Sequence, residues 1–284
     1  MDKDPDFVTS LARGLSILTC FQASDAELGN GEIAERAGLP PATVARLTYT
    51  LTQLGYLRSI PLRRKYALSA NVLSIGYPVL AALPERELAR IHIKHLADVT
   101  GGSVCLAICE GLQAVYIEAS RGAEAGQFPD IGTHRHVLDS SVGRALFVTM
   151  DAALQQSVLN QLCLISPQRA DELRTAAQTA LSDYQRFGMC RSENLAIKGW
   201  SGVAMPIKGL AGRKLALSLG LRSETLEEDS SLRSAGLALA AAASRISEAF
   251  RAVNASGRKP EAPGASAMRK TSEHRIEHAP SRIT

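Results

Sequence analysis

The basic side chains of residues 36–84 are the first group in this sequence whose types and spacing point to a chemistry. No aspartate or glutamate occurs between Glu35 and Glu85. At the average composition of the chain, about five acidic residues would be expected in this interval. Because each carboxylate would repel a polyanion, a surface without acids favours contact with nucleic-acid phosphates. Chance clustering on a solvated surface is the alternative interpretation. The basic residues of the interval are Arg36, Arg46, Arg58, Arg63, Arg64 and Lys65.

A serine-rich stretch, Ser140-Ser141-Val142-Gly143, is the second candidate for chemistry. It opens a predicted helix, where hydroxyl groups, free backbone N–H groups and the positive end of the helix dipole would favour an anion. An ordinary N-cap by Ser140 or Ser141 would explain the same residues. The stretch therefore predicts a small-anion site and leaves a purely structural role open.

Cysteine and histidine side chains offer a catalytic alternative. Cys105 or Cys109 could act as a nucleophile, with His134 or His136 as its base. Cys105 lies within an apolar predicted strand, however, where a buried structural thiol is the usual outcome. Sequence motifs of nucleotide-binding loops, serine hydrolases and zinc peptidases are absent. We therefore expect no enzyme activity.

A metal site is also not expected. His92 and His95 are three residues apart on a predicted helix, but the sequence places no third ligand candidate near them. A packing role for this pair is favoured over metal binding, and we expect neither a metal nor a cofactor.

Two predicted helices joined by a tight turn position the basic residues. The first is short, spans residues 32–37 and ends at Gly38, a residue type that commonly follows a helix. Pro41 suits the first position of the second helix, which is predicted over 42–54. A further helix is predicted over 7–22 from apolar residues that recur at spacings of three and four.

A predicted β-hairpin follows the helix pair. Two short alternating runs, 56–60 and 65–68, flank a basic turn. A helix-turn-helix with such a hairpin, or wing, would place its second helix in the major groove, where Arg46 could read a guanine edge. The predicted DNA-contacting residues are Pro41, Ala42, Thr43, Arg46, Tyr49, Thr50, Arg63, Arg64 and Lys65.

The rest of the chain is predicted to form a linker helix and an α+β domain. The linker helix spans 69–83 and contains Pro78, which implies a kink. Beyond it, two or three helices and about five strands are predicted. They are segregated along the chain and the strands are largely connected as a meander, which is typical of an α+β fold. The last helix is predicted over 226–252, and the composition after Asn254 predicts a disordered basic tail.

The order of these segments resembles the IclR family of bacterial transcription regulators, over about residues 7–250. The opening segment is most similar to the branch that senses aromatic and other small carboxylic acids. The stretches that carry the resemblance are 10–18, 32–40, 43–47, 54–57, 73–77, 140–145 and 202–207.

The resemblance implies a winged helix-turn-helix domain, a linker helix and a GAF-like effector domain with an antiparallel sheet. It also implies a homodimer or homotetramer on a palindromic operator, and a small carboxylic acid bound between sheet and loop. The effector-binding residues implied by position are Ser141, Val142, Gly143, Ser192, Glu193, Trp200, Gly202 and Ser218.

Two residues depart from the family pattern. Ser192 stands where many members have an acidic residue, although Glu193 follows it. Trp200 stands where a smaller residue is common. The tryptophan therefore indicates an aromatic effector, a narrowed pocket, or a residue that only fills the core.

The sequence thus predicts a DNA-binding regulator that responds to a small, plausibly aromatic, carboxylic acid. The predicted domains are 1–68 for DNA binding, 69–83 for the linker, 84–253 for effector binding and oligomerisation, and 254–284 for the tail. A second domain that serves only dimerisation remains an alternative, as does a winged helix that contacts proteins. The scattered, odd number of cysteines and the absence of an apolar run of about 18 residues predict a cytoplasmic protein without a membrane partner.

Overall fold

The computed structural model describes residues 5–22, 24–125, 129–193, 198–226 and 229–256. Residues up to Ala81 form one unit, and residues from Ala82 onward form a second. The division falls within the predicted linker, 69–83. None of the helices in the described ranges is long and apolar enough to cross a membrane.

The first unit contains the predicted helix pair and wing. Gly38, with φ of 62°, ends the second helix in the left-handed conformation that glycine adopts without strain, and Pro41 begins the third. The buried side chains of Ile17, Ile33 and Val44 join the three helices in one apolar core. The elements are α1 (Thr9–Thr19), β1 (Leu28–Gly29), α2 (Asn30–Ala37), α3 (Pro41–Gln53), β2 (Leu57–Ile60), β3 (Lys65–Leu68) and α4 (Leu73–Ala81).

Two features of this unit differ from the sequence-based expectation. The sequence predicts a loop over 23–31, but Leu28–Gly29 form the short strand β1, which pairs with β3 and makes the wing a three-stranded sheet in the order β1-β3-β2. The predicted linker helix begins at Leu73, after a 3-10 turn over Ala70–Val72, and continues through Pro78.

The second unit is built on one antiparallel sheet, which confirms the α+β prediction. Its described strands have the order β6-β5-β4-β9-β8-β7. The elements are α5 (Pro84–Thr100), β4 (Ser103–Glu110), β5 (Gln113–Arg121), β6 (His134–His136), α6 (Ser141–Phe147), α7 (Ala152–Ile165), α8 (Ala170–Phe187), β7 (Cys190–Glu193), β8 (Trp200–Lys208), β9 (Lys214–Arg222), α9 (Ser223–Leu226) and α10 (Asp229–Ser256).

The two faces of this sheet carry side chains of different size. Alternate residues of a strand point to opposite faces. Val104 and Leu106 of β4 pack in the core that contains residues of α5 and α10, whereas Cys105 and Ala107 pack in the core that contains residues of α6. Small side chains on the α6 face let the short helix lie close to the strands.

Two boundaries in the second unit correct the prediction. The sequence predicts a loop over 192–198, but Ser192 and Glu193 belong to strand β7. The last helix, α10, runs to Ser256, so the first three residues of the predicted tail are helical. The remainder of that predicted tail, 257–284, lies outside the described residues.

Candidate functional site

The exposed face of α3 is the first candidate site. Val44, Thr48 and Leu51 are buried on one side of α3, so the opposite side of the helix faces solvent. The Thr48 hydroxyl donates to the Val44 carbonyl oxygen of its own helix at 2.9 Å, and it also lies 3.3 Å from the Asn30 side-chain oxygen at the start of α2. The predicted contact residues that this arrangement leaves exposed are Pro41, Ala42, Arg46, Tyr49 and Thr50, and Thr43 is half-buried.

Arg46 is the cation at the centre of this face. It forms no ion pair with any residue in the described ranges, and α3 contains no acidic residue. The guanidinium group is therefore available for a bidentate contact with a base edge.

The three consecutive basic residues of the wing differ in their surroundings. Arg63 pairs with Glu27 at 3.0 Å, and Lys65 pairs with Glu32 at 3.4 Å. Arg64 is exposed, adopts a left-handed backbone with φ of 52°, and has no acidic partner in the described ranges. Because exposed ion pairs contribute little free energy, Arg63 and Lys65 can exchange their partners for phosphates. Arg64 needs no such exchange.

A cavity in the second unit is the second candidate site. The empty space between its lining residues is about 380 Å³, a volume that includes open solvent at the mouth. Five of the eight predicted effector residues line it, although they come from separate stretches of the chain. The lining residues are Tyr116, Pro129, Ser140, Ser141, Ser192, Trp200, Ser201, Gly202, Ser218 and Gly220.

Three predicted effector residues do not line this cavity. Val142 points into the core between α6 and the sheet. Gly143 faces the backbone of Val137, where a Cβ atom on the glycine would lie 2.7 Å from the Val137 Cα. Glu193 is exposed at the end of β7. We therefore place these three residues outside the site.

Two backbone N–H groups at the start of α6, those of Ser141 and Gly143, are bonded within the protein. The Ser141 N–H donates to the Ser192 hydroxyl at 3.0 Å, and the Gly143 N–H donates to the Ser140 hydroxyl at 3.2 Å. Ser140 is thus an ordinary N-cap, and the expectation of free N–H groups is wrong for these two residues. The Ser192 hydroxyl accepts from an N–H and keeps its own O–H for donation.

Apart from the indole N–H of Trp200, the other polar side-chain groups that line the cavity are hydroxyls. The Ser218 O–H lies 3.5 Å from the Cys105 carbonyl oxygen, to which it donates. Burial raises the pKa of Tyr116 to about 12, so its phenol stays protonated at neutral pH. No charged side chain is among the residues of the described ranges that line the cavity. A ligand would therefore be recognised by hydrogen bonds and apolar contact rather than by an ion pair with a lining residue.

Trp200 provides a large apolar surface in the cavity. The Arg222 guanidinium lies 5.5 Å from the centre of the indole ring, which corresponds to a cation–π contact. Trp200 and Arg222 are also cross-strand partners in β8 and β9. The indole is thus held by its neighbour on β9 while it lines the cavity.

The sequence did not indicate five of the lining residues as effector residues. They are Tyr116, Pro129, Ser140, Ser201 and Gly220. The two-residue period of β9 is a signal that could have indicated Gly220, because it lies two positions after Ser218. Ser140 belongs to the serine-rich stretch. Tyr116 and Pro129 are brought in by long-range packing and carry no local signal.

The catalytic alternative has no support in the structure. Cys105 is fully buried, and burial raises the pKa of its thiol to about 12. A protonated, inaccessible thiol is a poor nucleophile. Within the described ranges, no group of three or more histidine, cysteine or acidic residues could hold a metal ion.

Two family models match most of the chain. The "IclR helix-turn-helix domain" matches residues 10–61, and "Bacterial transcriptional regulator IclR C-terminal" matches residues 78–248. Both families are transcription regulators rather than enzymes.

Named relatives have the same character. The chain is 34% identical over 201 residues to the HTH-type transcriptional regulator TsaQ1/TsaQ2 of Comamonas testosteroni, which covers 70% of this chain and 72% of that protein. It is 30% identical over 220 residues to the Pca regulon regulatory protein of Pseudomonas putida, with 75% and 74% covered.

Solved structures show the same fold. An IclR family transcriptional regulator from Brucella abortus is 34% identical, with a TM-score of 0.67 over 87% of this chain and 94% of that one. An IclR homolog from Microbacterium hydrocarbonoxydans, complexed with 4-hydroxybenzoate, is 20% identical, with a TM-score of 0.64 over 86% of this chain and 100% of that one.

Proposed function

Since the chain belongs to the IclR family of bacterial transcriptional regulators, we propose that it binds a palindromic operator as a dimer or tetramer. We further propose that a small organic acid of aromatic type, bound in the cavity, changes its affinity for that operator. Recognition of the operator is assigned to the exposed face of α3, with Arg46 at its centre and Arg64 of the wing on a phosphate.

The observation that carries the effector proposal is the convergence of Ser141, Ser192, Trp200, Gly202 and Ser218 on one cavity. The flat indole of Trp200 suits an aromatic ring, and the Ser192 O–H suits a carboxylate oxygen. The regulator names that mention "Pca" and the 4-hydroxybenzoate complex of the Microbacterium protein support the choice of aromatic acids as probes.

Replacing Ser192 by alanine should weaken binding of 4-hydroxybenzoate about tenfold or more, because the variant loses a hydroxyl donor to a charged group. Calorimetry on the full chain measures the dissociation constant. Ser157→Ala, an exposed serine of α7, is the matched control and should bind as the wild type does.

Unchanged 4-hydroxybenzoate affinity in Ser192→Ala would exclude the Ser192 hydroxyl as a ligand. If the wild-type chain binds neither 4-hydroxybenzoate nor benzoate at millimolar concentration, the aromatic-acid class is wrong. The alternative of a second unit that serves only oligomerisation would then be favoured.

Association of chains is supported by the exposed apolar side chains of the first unit. Leu11 and Leu15 lie one turn apart on α1 and Phe7 precedes the helix, and each of these side chains is more than half exposed. None of the residues of α4 is buried, although Leu73 and Tyr77 are large and apolar. A second copy of the chain would remove these surfaces from water, and a palindromic operator requires two copies of α3.

The double variant Leu11→Glu with Leu15→Glu should weaken self-association, because carboxylates would be buried at the interface. Light scattering at micromolar concentration should show a smaller average mass than for the wild type. Leu164→Glu, an exposed leucine of α7, serves as the control. A wild-type chain that is monomeric under these conditions, or a double variant with unchanged mass, would contradict the proposed interface.

A further inference from the structure

Arg144 is a buried cation that the proposed function does not use. It lies in α6, three residues after Ser141, and only 9% of it is exposed. Its guanidinium group donates to backbone oxygens of described residues: Nε donates to the Leu138 carbonyl oxygen at 3.3 Å, and an Nη donates to the Arg191 carbonyl oxygen at 2.7 Å. Burying a charge is costly, and an apolar side chain of similar length would fill the space without that cost. Space filling therefore does not account for an arginine at this position. What an apolar side chain could not provide is the pair of hydrogen bonds to backbone oxygens.

The Arg144 contacts join two walls of the cavity. Leu138 precedes α6, whereas Arg191 lies in β7, which is the outermost strand of the described sheet and pairs only with β8. The carbonyl group that accepts from Arg144 belongs to the same peptide unit as the backbone nitrogen of Ser192. Arg144 therefore bonds α6 to the peptide that carries the Ser192 side chain.

A second hydrogen bond closes the connection. The Ser192 hydroxyl accepts from the Ser141 N–H at 3.0 Å, at the start of the same helix. Packing leaves little freedom here, because a Cβ atom on Gly202 would lie 2.7 Å from the Ser141 hydroxyl oxygen. Side-chain contacts of Arg191 hold the other side of β7, since its guanidinium group pairs with Asp183 of α8 at 3.0 Å.

We propose that Arg144 is the positioning residue of the cavity: it fixes β7 against α6, and this sets the Ser192 hydroxyl in the orientation that receives the acid. The inference rests on the proposed function, because it assigns a role relative to the bound ligand. It assigns Arg144 no contact with the ligand itself.

A double-mutant cycle tests whether Arg144 acts through Ser192. The full-length chain would be compared as wild type, Arg144→Lys, Ser192→Ala and the double variant, with 4-hydroxybenzoate as the probe in calorimetry. Lysine keeps the charge but cannot bond both carbonyl groups in the same way. We expect Arg144→Lys to weaken binding about tenfold or more, and the double variant to bind within about twofold of the weaker single variant. The proposal is overturned if the double variant loses affinity by the product of the two single-variant factors. It is also overturned if Arg144→Lys binds 4-hydroxybenzoate as tightly as the wild type does.

Hydrogen exchange supplies a readout that needs no ligand. In the wild type the Ser141 amide is bonded to Ser192, and loss of Arg144 should accelerate its exchange at least severalfold. If the wild type binds no aromatic acid but the exchange rate of the Ser141 amide rises in the variant, the ligand class fails while the positioning role stands. An unchanged exchange rate overturns the positioning role.

Arg144→Met, which fills the space without a buried charge, replaces the lysine variant if that variant does not fold. Arg169→Lys is the control, because Arg169 bonds the carboxylates of Asp139 and Glu172 rather than β7.

Discussion

Replacing Gly143 by alanine should destabilise the second unit by about 3 kcal/mol or more. A Cβ atom at this position would lie 2.7 Å from the Val137 Cα and closer still to the Val137 carbonyl oxygen. These are backbone atoms, so no rotation of a side chain relieves the overlap, and α6 would have to move off the segment before it. Displacement of α6 would also open the packing of Val142 against the small residues of the sheet.

Trp200 makes this prediction measurable, because it is the single tryptophan of the chain and lies in the second unit. Its fluorescence during urea unfolding reports that unit even if the two units unfold separately. Ser157→Ala, an exposed substitution on helix α7 of the same unit, is the control, because it meets no packed backbone. The control should leave the transition unchanged, and a Gly143→Ala midpoint equal to that of the wild type would refute the packing account.

Arg46→Ala should weaken binding to the specific operator by about 1–3 kcal/mol, which is about 5- to 150-fold, and relax the preference at one base pair. The reason is that Arg46 lies on the exposed face of α3 without an ion-pair partner in the described ranges. Fluorescence anisotropy with the operator and with single-base-pair variants measures both effects.

Arg64→Ala provides the comparison within the same unit. A phosphate contact carries no base preference, so this variant should weaken all DNA sequences about equally and lower the slope of log K against log salt by about one. If both variants lose affinity with unchanged base preference, α3 is not the reading helix.

The winged helix-turn-helix was predictable because local residues specify it. Gly38 and Pro41 mark the end of one helix and the start of the next, and the apolar spacing defines the buried face. Strand β1 was missed because two residues of a loop carry no local signal, and their strand character comes from pairing with Lys65 and Tyr66.

The cavity was predictable only in part. The sequence predicts a loop at Ser192 because the four residues of this outermost strand are too few to show a clear period. Ser192 and Ser141 are 51 positions apart in the chain. Because the Ser141 N–H at the start of α6 donates to the Ser192 hydroxyl, it is not free to bind a ligand. Tyr116 reaches the cavity through the register of β5 against β4, where it faces Ala107. Such long-range contacts leave no pattern in the neighbouring sequence.

The most direct test of the proposed regulation measures how binding of an acid in the cavity and binding of operator DNA affect each other. Trp200 fluorescence identifies the acid that binds most tightly from a panel of small aromatic and aliphatic carboxylates, and its dissociation constant is then measured with and without saturating operator DNA. If the cavity controls DNA binding, the acid must change operator affinity by some factor, and the operator must change the acid's affinity by the same factor. We predict a coupling factor of about fivefold or more, equal in both directions. An acid that binds beside Trp200 but leaves operator affinity unchanged would contradict the account.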